Sequence, residues 1–259
     1  MSSLVILVPV YKAVLPGIEA FSLRHSLAQL KAGREVRFIA PASLDIAWYH
    51  AEFPGLPVDR YDDACFASIP GYNRLLMGTA FYERYIAREF MLILQTDAIL
   101  LRDDLDDWCA QPYDYVGAPW PDGVQIKVQL DQFQGELAKQ VKVHVGNGGL
   151  SLRRNRACID LIREFPQAVG FFDKTGSSED LFFSIMGSLS ARCVLPGEMA
   201  AARFSLELKP ELYHARMGGR APMGGHAWWK YNPGYWLAQL GPAAHQALQA
   251  LRPAETAAA

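Results

Sequence analysis

Four short polar clusters in the 259-residue sequence carry residue types able to do chemistry. Gln95-Thr96-Asp97 ends the apolar run Met91-Leu92-Ile93-Leu94. A carboxylate at such a point can hold a divalent cation against a diphosphate, or it can simply cap the next turn. Gly146-Asn147-Gly148-Gly149 joins small residues, which let a ligand approach the backbone, to an amide that both donates and accepts. A tight turn before a helix would use the same residues. Ser177-Ser178-Glu179-Asp180 precedes an apolar helical pattern. As local structure this is a capping box with acids opposing the helix dipole, and an acid placed there can also face a cleft and accept a proton. Last, His226 lies in a glycine- and aromatic-rich stretch, residues 222–229, where a lone histidine is either a hydrogen-bonded packing residue or a ligand. His144 and His214 have weaker claims. Trp228, Trp229, Tyr231, Tyr235 and Trp236 suit either stacking on sugar rings or packing at the edge of the domain.

These clusters need a scaffold that brings strand ends together. Leu4-Val5-Ile6-Leu7-Val8 reads as a first strand, stopped at Pro9-Val10-Tyr11. Ala20, Leu23, Leu27 and Leu30 then recur at helical spacing up to Gly33, and a second strand runs from Glu35 to Ala40. This strand-helix-strand opening predicts a parallel sheet of nucleotide-binding type. Four consecutive apolar residues at 91–94 suit a strand covered on both faces, whose carboxyl end is where open α/β sheets place ligands. Leu75, Thr79, Tyr82, Ile86 and Phe90 predict one helix feeding that strand. The acidic segment 102–108 lacks the spacing and glycine of a calcium loop and reads as a solvated turn into a short helix. A short strand is expected at 113–120, and the polar insertion 122–142 reads as a mobile loop or a pair of helical turns. Helices are expected with Cys158, Leu161, Ile162 and Phe165 on one face, and from near Glu179 with Phe182, Ile185, Met186 and Leu189 inward. Residues 1–242 read as a single domain, and 243–259 as a C-terminal helix and frayed tail.

Composition narrows the classes. A formal charge of -2 with scattered Lys and Arg offers no basic face for nucleic acid. Cys65, Cys109, Cys158 and Cys193 form no C-x-x-C pair and read as reduced thiols of a cytoplasmic protein. The N-terminal apolar run is too short to cross a bilayer and lacks signal-peptide features, so any membrane contact is expected to be peripheral. There is no G-x-G-x-x-G after the first strand, no P-loop and no G-x-S-x-G elbow, which removes support for nicotinamide, P-loop and α/β-hydrolase chemistry.

Together, residues 92–97, 114–120 and 146–153, Glu179-Asp180 before Phe182-Phe183, and Gly225-His226 resemble an uncharacterised family of glycosyltransferase-like proteins, itself similar to the GT-A fold of nucleotide-sugar transferases. The resemblance implies an α/β, GT-A-like Rossmann-type sandwich with a central, mostly parallel sheet flanked by helices. It implies that Gln95-Thr96-Asp97 takes the place of an Asp-x-Asp metal motif, with Gln95 departing from it as a neutral amide. Asp97 and His226 would then hold Mn2+ or Mg2+. Glu179 and Asp180 match an acidic pair ahead of a helix, Asp180 being the expected base in an inverting transfer. Pro9, Val10 and Tyr11 would lie beside the nucleotide base, and Asn73, Arg74, Gln95 and Thr96 near the nucleotide or its phosphates. Asn147, Gly148, Gly149, Trp120 and Trp228 would shape the sugar and acceptor pockets. The implied activity is transfer of a sugar from a nucleoside diphosphate to a hydroxyl of a surface glycan or its lipid-linked precursor. Two alternatives stay open: a sugar- or nucleotide-binding module without catalysis, suggested by Gln95, and a nucleotidyltransferase on a related sheet.

Overall fold

The computed structural model describes residues 3–250. Strands β1 (Leu4–Pro9), β2 (Glu35–Pro41), β3 (Val58–Tyr61) and β4 (Phe90–Leu94) alternate with helices α1 (Gly17–Gln29), α2 (Ala47–Glu52), α3 (Ile69–Leu76) and α4 (Thr79–Glu83). Next come β5 (Ala98–Leu100), α5 (Leu105–Cys109), two long strands β6 (Tyr115–Val128) and β7 (Lys139–Arg154), and helices α6 (Asn155–Glu164), α7 (Pro166–Thr175) and α8 (Glu179–Leu189). The chain ends through α9 (Glu198–Phe204), β8 (Ser205–Leu206), α10 (Pro210–Arg216), β9 (Gly224–His226), α11 (Pro233–Leu240) and α12 (Pro242–Gln249).

Among the described residues, six strands form the main sheet in the order β3-β2-β1-β4-β7-β6. β1 to β4 pair in parallel, while β7 runs against both β4 and β6. The fold is therefore the mixed, mostly parallel α/β sandwich expected. Its strands are apolar throughout because both faces are covered. Val5, Leu7, Met91 and Ile93 pack under α3, α4, α6, α7 and α8, whereas Ile6, Val8, Leu92 and Leu94 pack under α1, α2 and α5. A second sheet, β5-β9-β8, carries a third apolar cluster with Trp228, Tyr235, Trp236 and Ala244.

Several expectations are corrected. The insertion 122–142 is mostly strand: it is the outer part of the β6–β7 hairpin, pairing from Val124 with Val143 to Val128 with Lys139, and only its tip, residues 129–138, is the expected loop, with one 3-10 turn at Gly135–Leu137. Its apolar residues Val124, Ile126, Val128 and Val141, Val143 alternate with polar ones, which is the signature of a half-buried strand. Gly146-Asn147-Gly148-Gly149 lies within β7, not in a turn. The single helix expected over 75–90 is two short ones, broken at Met77-Gly78, where Gly78 takes an extended conformation as the cap of α4. Ser178 precedes α8 but its hydroxyl caps nothing. The expected C-terminal helix is present as α12, with Ala244 buried in the third cluster; the tail 251–259 lies outside the described residues.

Helix α8 is fastened to β7 by a buried ion pair. Arg153 is 0% exposed and donates from Nη1 and Nη2 to the two oxygens of Glu179, 2.9 Å each. Its Nε donates to Ser151 at 3.0 Å and its Nη1 also to the Tyr82 hydroxyl at 3.0 Å. The guanidinium lies beside the stacked rings of Tyr115 and Phe183, 5.1 and 5.4 Å from their centroids. Removing one partner of such a pair strands the other charge away from water. Arg153→Met should therefore lower unfolding free energy by about 3–5 kcal/mol, measured as a fall in the urea midpoint; a loss below about 1 kcal/mol, the range of surface pairs, would show that the pair does not seat α8.

Candidate functional site

Sheet pairing alone brings Asp97 and His226 together. Gln95 lies at the end of β4, its N–H bound to the Gly149 carbonyl at 2.9 Å, and a tight turn closed by Ala98 N–H on the Gln95 carbonyl places Asp97 just before β5. β5 pairs antiparallel with β9, putting Ala98 opposite His226, and β9 pairs parallel with β8, putting Leu206 opposite Gly225. Three carboxylate or imidazole groups remote in sequence thus meet. His226 Nε2 is 3.0 Å from Asp97 Oδ1 and 3.2 Å from Gln95 Oε1, and its Nδ1 is 3.0 Å from Glu207 Oε2. Lys230 Nζ lies 2.7 Å from the other Asp97 oxygen.

The charges are strongly coupled. Burial disfavours the Asp97 carboxylate, but the bonds to His226 and Lys230 outweigh it and hold the carboxyl well below its usual range. Burial likewise disfavours the imidazolium, yet Asp97 and Glu207 push His226 up to about 10. Ala227, directly after the histidine, sits at φ 47°, a conformation that costs an L residue about 1–2 kcal/mol. This turn sends Trp228 into the core while the His226 ring stays partly exposed beside Asp97.

The glycines of β7 seat these groups. A Cβ on Gly149 would overlap the His226 ring, and one on Gly148 would press on Glu179 and Asp180 at the start of α8. Successive residues of the strand therefore face His226 on one side and the acids on the other. The Gly148 N–H donates to Asp180 Oδ2 at 3.3 Å. The register between β6 and β7 shifts on either side of Ala118, which pairs with Asn147, and such bulges re-aim side chains. Asn147 is half-buried, and its Oδ1 accepts from Gly149 N–H at 3.4 Å.

Other sequence candidates fall in different places. Thr96 is buried and donates to Glu19 at 2.8 Å, and Glu19 binds Lys12 at 2.6 Å. Tyr11 is 55% exposed at the end of β1, whereas Pro9 and Val10 are buried. Trp120 is half-buried with its ring against Gly146. Asn73 reaches the Ser177 carbonyl at 3.4 Å, and Arg74 pairs with Asp173 at 2.7 Å on the surface. Two expectations need correction. Glu179 is engaged at both oxygens by Arg153 and sealed from solvent, so it is a structural anchor and not a base. Trp228 is 0% exposed, its indole N–H bound to Ser22 at 2.8 Å, so it lines no acceptor pocket. Sequence reading missed Glu207, Lys230 and Arg153. Lys230 had a signal, a lone cation in an aromatic run four residues after His226. Glu207, after a two-residue strand, had none.

The donor set can be tested against a cation. Among the described residues, no group of three or more His, Cys, Asp or Glu side chains is arranged to hold a metal ion. Asp97 Oδ1 and Gln95 Oε1 both lie about 3 Å from His226 Nε2, sharing its hydrogen bond in the free protein. Glu207 on Nδ1 is the outer carboxylate that orients a ligating imidazole. A hard divalent ion held here would have to displace the Nε2 proton of His226, with Asp97 and the Gln95 amide as the other protein donors.

The profile of a family described as "Protein of unknown function (DUF5672)" matches residues 55–226, well over half of the chain. The chain belongs to this family. The match ends on His226, so it takes in the Asp97 turn, β7 and the start of α8. No curated protein matches in sequence. Among solved structures, the chain is similar to the apo form of mouse xyloside xylosyltransferase 1, with a TM-score of 0.51 and 12% identity over 85% of this chain and 96% of that one. It is also similar to the apo-form glycosyltransferase GlyE of Streptococcus pneumoniae TIGR4, with a TM-score of 0.52 and 12% identity over 98% of this chain and 64% of that one. The chain thus spans less than two thirds of GlyE. At such identity the likeness is one of fold, the GT-A type. No helix among the described residues is long and apolar enough to cross a membrane.

Two substitutions probe this member of the DUF5672 family. Gly149→Ala should displace the His226 ring and break its contact with Asp97, seen as a shifted imidazole resonance by NMR; an unshifted ring would show that β7 yields instead. Ala227→Gly should keep the fold and raise stability by up to about 1 kcal/mol, read by urea titration, while a drop would show that the Ala227 methyl contributes more packing than its conformation costs.

Proposed function

We propose that this protein is a glycosyltransferase that moves a sugar from a nucleoside diphosphate donor to a hydroxyl acceptor. The observation that supports this most directly is the placing of Asp97, Gln95, His226 and Lys230 at the carboxyl end of β4, with Asp180 reached across Gly148-Gly149, on a fold shared with two glycosyltransferases. Leaving of a nucleoside diphosphate builds negative charge on the departing phosphate. Lys230, exposed and already directed at Asp97, can turn to that charge. Gln95, Asp97 and His226 would hold Mn2+ or Mg2+, which when bound neutralises the diphosphate as a Lewis acid. Glu207 keeps the imidazole oriented, and Tyr11 offers an exposed ring at the end of β1 for the nucleotide base.

The acceptor hydroxyl has to lose a proton as it attacks. Asp180 is half-buried at the amino end of α8, and its carboxylate is steadied by the Gly148 N–H rather than neutralised by an ion pair. It is the general base of this reading, and direct attack opposite the leaving group gives inversion at the anomeric carbon. A glycan or lipid-linked acceptor in the cytoplasm is the setting we infer. A second reading, a sugar-nucleotide binding module, draws support from the free protein satisfying Asp97 with its own His226 and Lys230.

A panel of UDP-glucose, UDP-galactose, UDP-xylose, dTDP-glucose and GDP-mannose with Mn2+ tests both. At least one should raise the melting temperature and be turned over. Asp180→Asn should keep the melting temperature while lowering kcat by a factor of 100 or more, within the general range for a lost acid-base group, about 10²–10⁴. Lys230→Ala should also lower kcat. Full activity of the Asp180→Asn protein would remove that residue from the mechanism, product NMR showing retention would exclude direct displacement, and binding without turnover would favour the module.

A further inference from the structure

Asp97 follows the carboxyl end of β4, and a second charged cavity lies toward the opposite end of the same parallel sheet. It is open, has a volume of about 260 Å³, and is lined by Glu35, Arg37, Asp59, Arg84, Tyr85 and Arg88. Glu35 opens β2, Asp59 is the second residue of β3, and the other three come from the end of α4 and the segment after it. Alternation along β2 sets the face: Val36 and Phe38 pack under α1 and α2, which leaves Glu35 and Arg37 on the side of α4.

The charges in this cavity do not balance. Three guanidiniums face two carboxylates, which leaves one positive charge. The Asp59 side chain is nine-tenths buried and fully used: Oδ2 accepts from Arg37 Nε and the Tyr85 hydroxyl, each at 2.7 Å, and Oδ1 from Arg37 Nη2 at 2.8 Å and Arg84 Nη2 at 3.0 Å. One acid thus serves two guanidiniums. Arg84 is held further by the Arg60 carbonyl, 3.0 Å from Nη1, and by the Tyr61 ring, 4.6 Å below its guanidinium carbon. Glu35 accepts from Arg88 Nε at 2.6 Å, while Arg37 Nη1 stops 3.6 Å from its other oxygen, beyond a hydrogen bond. Arg84 Nε and both terminal nitrogens of Arg88 donate to none of the described residues.

We propose that this cavity is a binding site for the phosphate group of a small phosphate ester. Guanidinium forks match the oxygens of a phosphate, and a dianion supplies the negative charge that the two acids leave short. Arg37 and Arg84 are already fixed by Asp59 and Tyr61, so they lose little freedom on binding. The volume is below the roughly 300–1,000 Å³ of pockets for drug-sized ligands, which suits a few carbons beyond the phosphate. The site is separate from the Asp97 network and does not depend on the glycosyltransferase reading.

Glycerol 3-phosphate and inorganic phosphate, titrated into the full chain at constant ionic strength made up with chloride, test the assignment. The ester should bind saturably, more tightly than the free ion, and should shift the amide and guanidinium Nε–H resonances of Arg84 and Arg88 in the NMR spectrum. Arg88→Ala should raise its Kd about tenfold or more, the effect of losing a charge-assisted bond. Lys230→Ala, at the other end of the sheet, should bind as the wild type does. The wild-type spectrum keeps the test independent of whether the Arg88→Ala protein folds. Shifts confined to the Asp97 turn and His226, an unchanged Kd in a folded Arg88→Ala protein, or no binding beyond that of chloride would each overturn the site. Binding of inorganic phosphate with exclusion of the ester would overturn the ester as its ligand.

Discussion

The site depends on a guanidinium and a carboxylate that have both left water. Arg153 ends β7 and Glu179 opens α8, and neither charge is tolerable in the interior without the other. Their bidentate bond fixes both the distance and the roll of α8 against the sheet. Asp180 is the next residue along, so its carboxylate is delivered to the Gly148 N–H by the same constraint. Two adjacent acids with similar local surroundings are thereby given different roles. One is consumed in anchoring the helix, and the other stays half-buried beside Gly148 with no ion-pair partner among the described residues.

At the opposite side of the two glycines the balance is reversed. Asp97 is surrounded by positive charge from His226 and Lys230, and His226 is held by acids at both ring nitrogens. In the free protein this network neutralises itself, which is how a carboxylate can wait in a largely desolvated position. In the proposed reaction a diphosphate would meet cations already arranged, so little reorganisation would be needed as charge develops. The same compactness explains the backbone at Ala227: the chain must turn sharply to leave the His226 ring beside Asp97 and bury the Trp228 ring two residues away, and the local conformation carries the strain.

The two glycines show how backbone and chemistry interlock. Read as sequence they suggest room for a ligand, but in the fold the room is taken by the protein's own His226 on one side and by Glu179 and Asp180 on the other. Any side chain at either position would push a functional group aside. Their location within an antiparallel strand makes the separation of His226 from the two acids a property of the sheet, not of a loop.

What the sequence determined by itself was whatever is written locally. Apolar runs at β1, β2 and β4 defined a parallel core, Asp97 marked a strand end, and Glu179-Asp180 marked a helix start. These signals survive because burial on both faces and helix polarity act within a few residues. The alternation in residues 122–142 was also present, though its many polar positions masked a hairpin that is only half-buried. Tertiary structure decided the rest. Pairing of β5 with β9 and of β9 with β8 selected His226, Glu207 and Lys230 as companions of Asp97, and one buried guanidinium separated the anchor Glu179 from the cleft acid Asp180. No local pattern encodes such choices, because they arise from which strand edges meet and which charge finds its counterpart once water has been excluded.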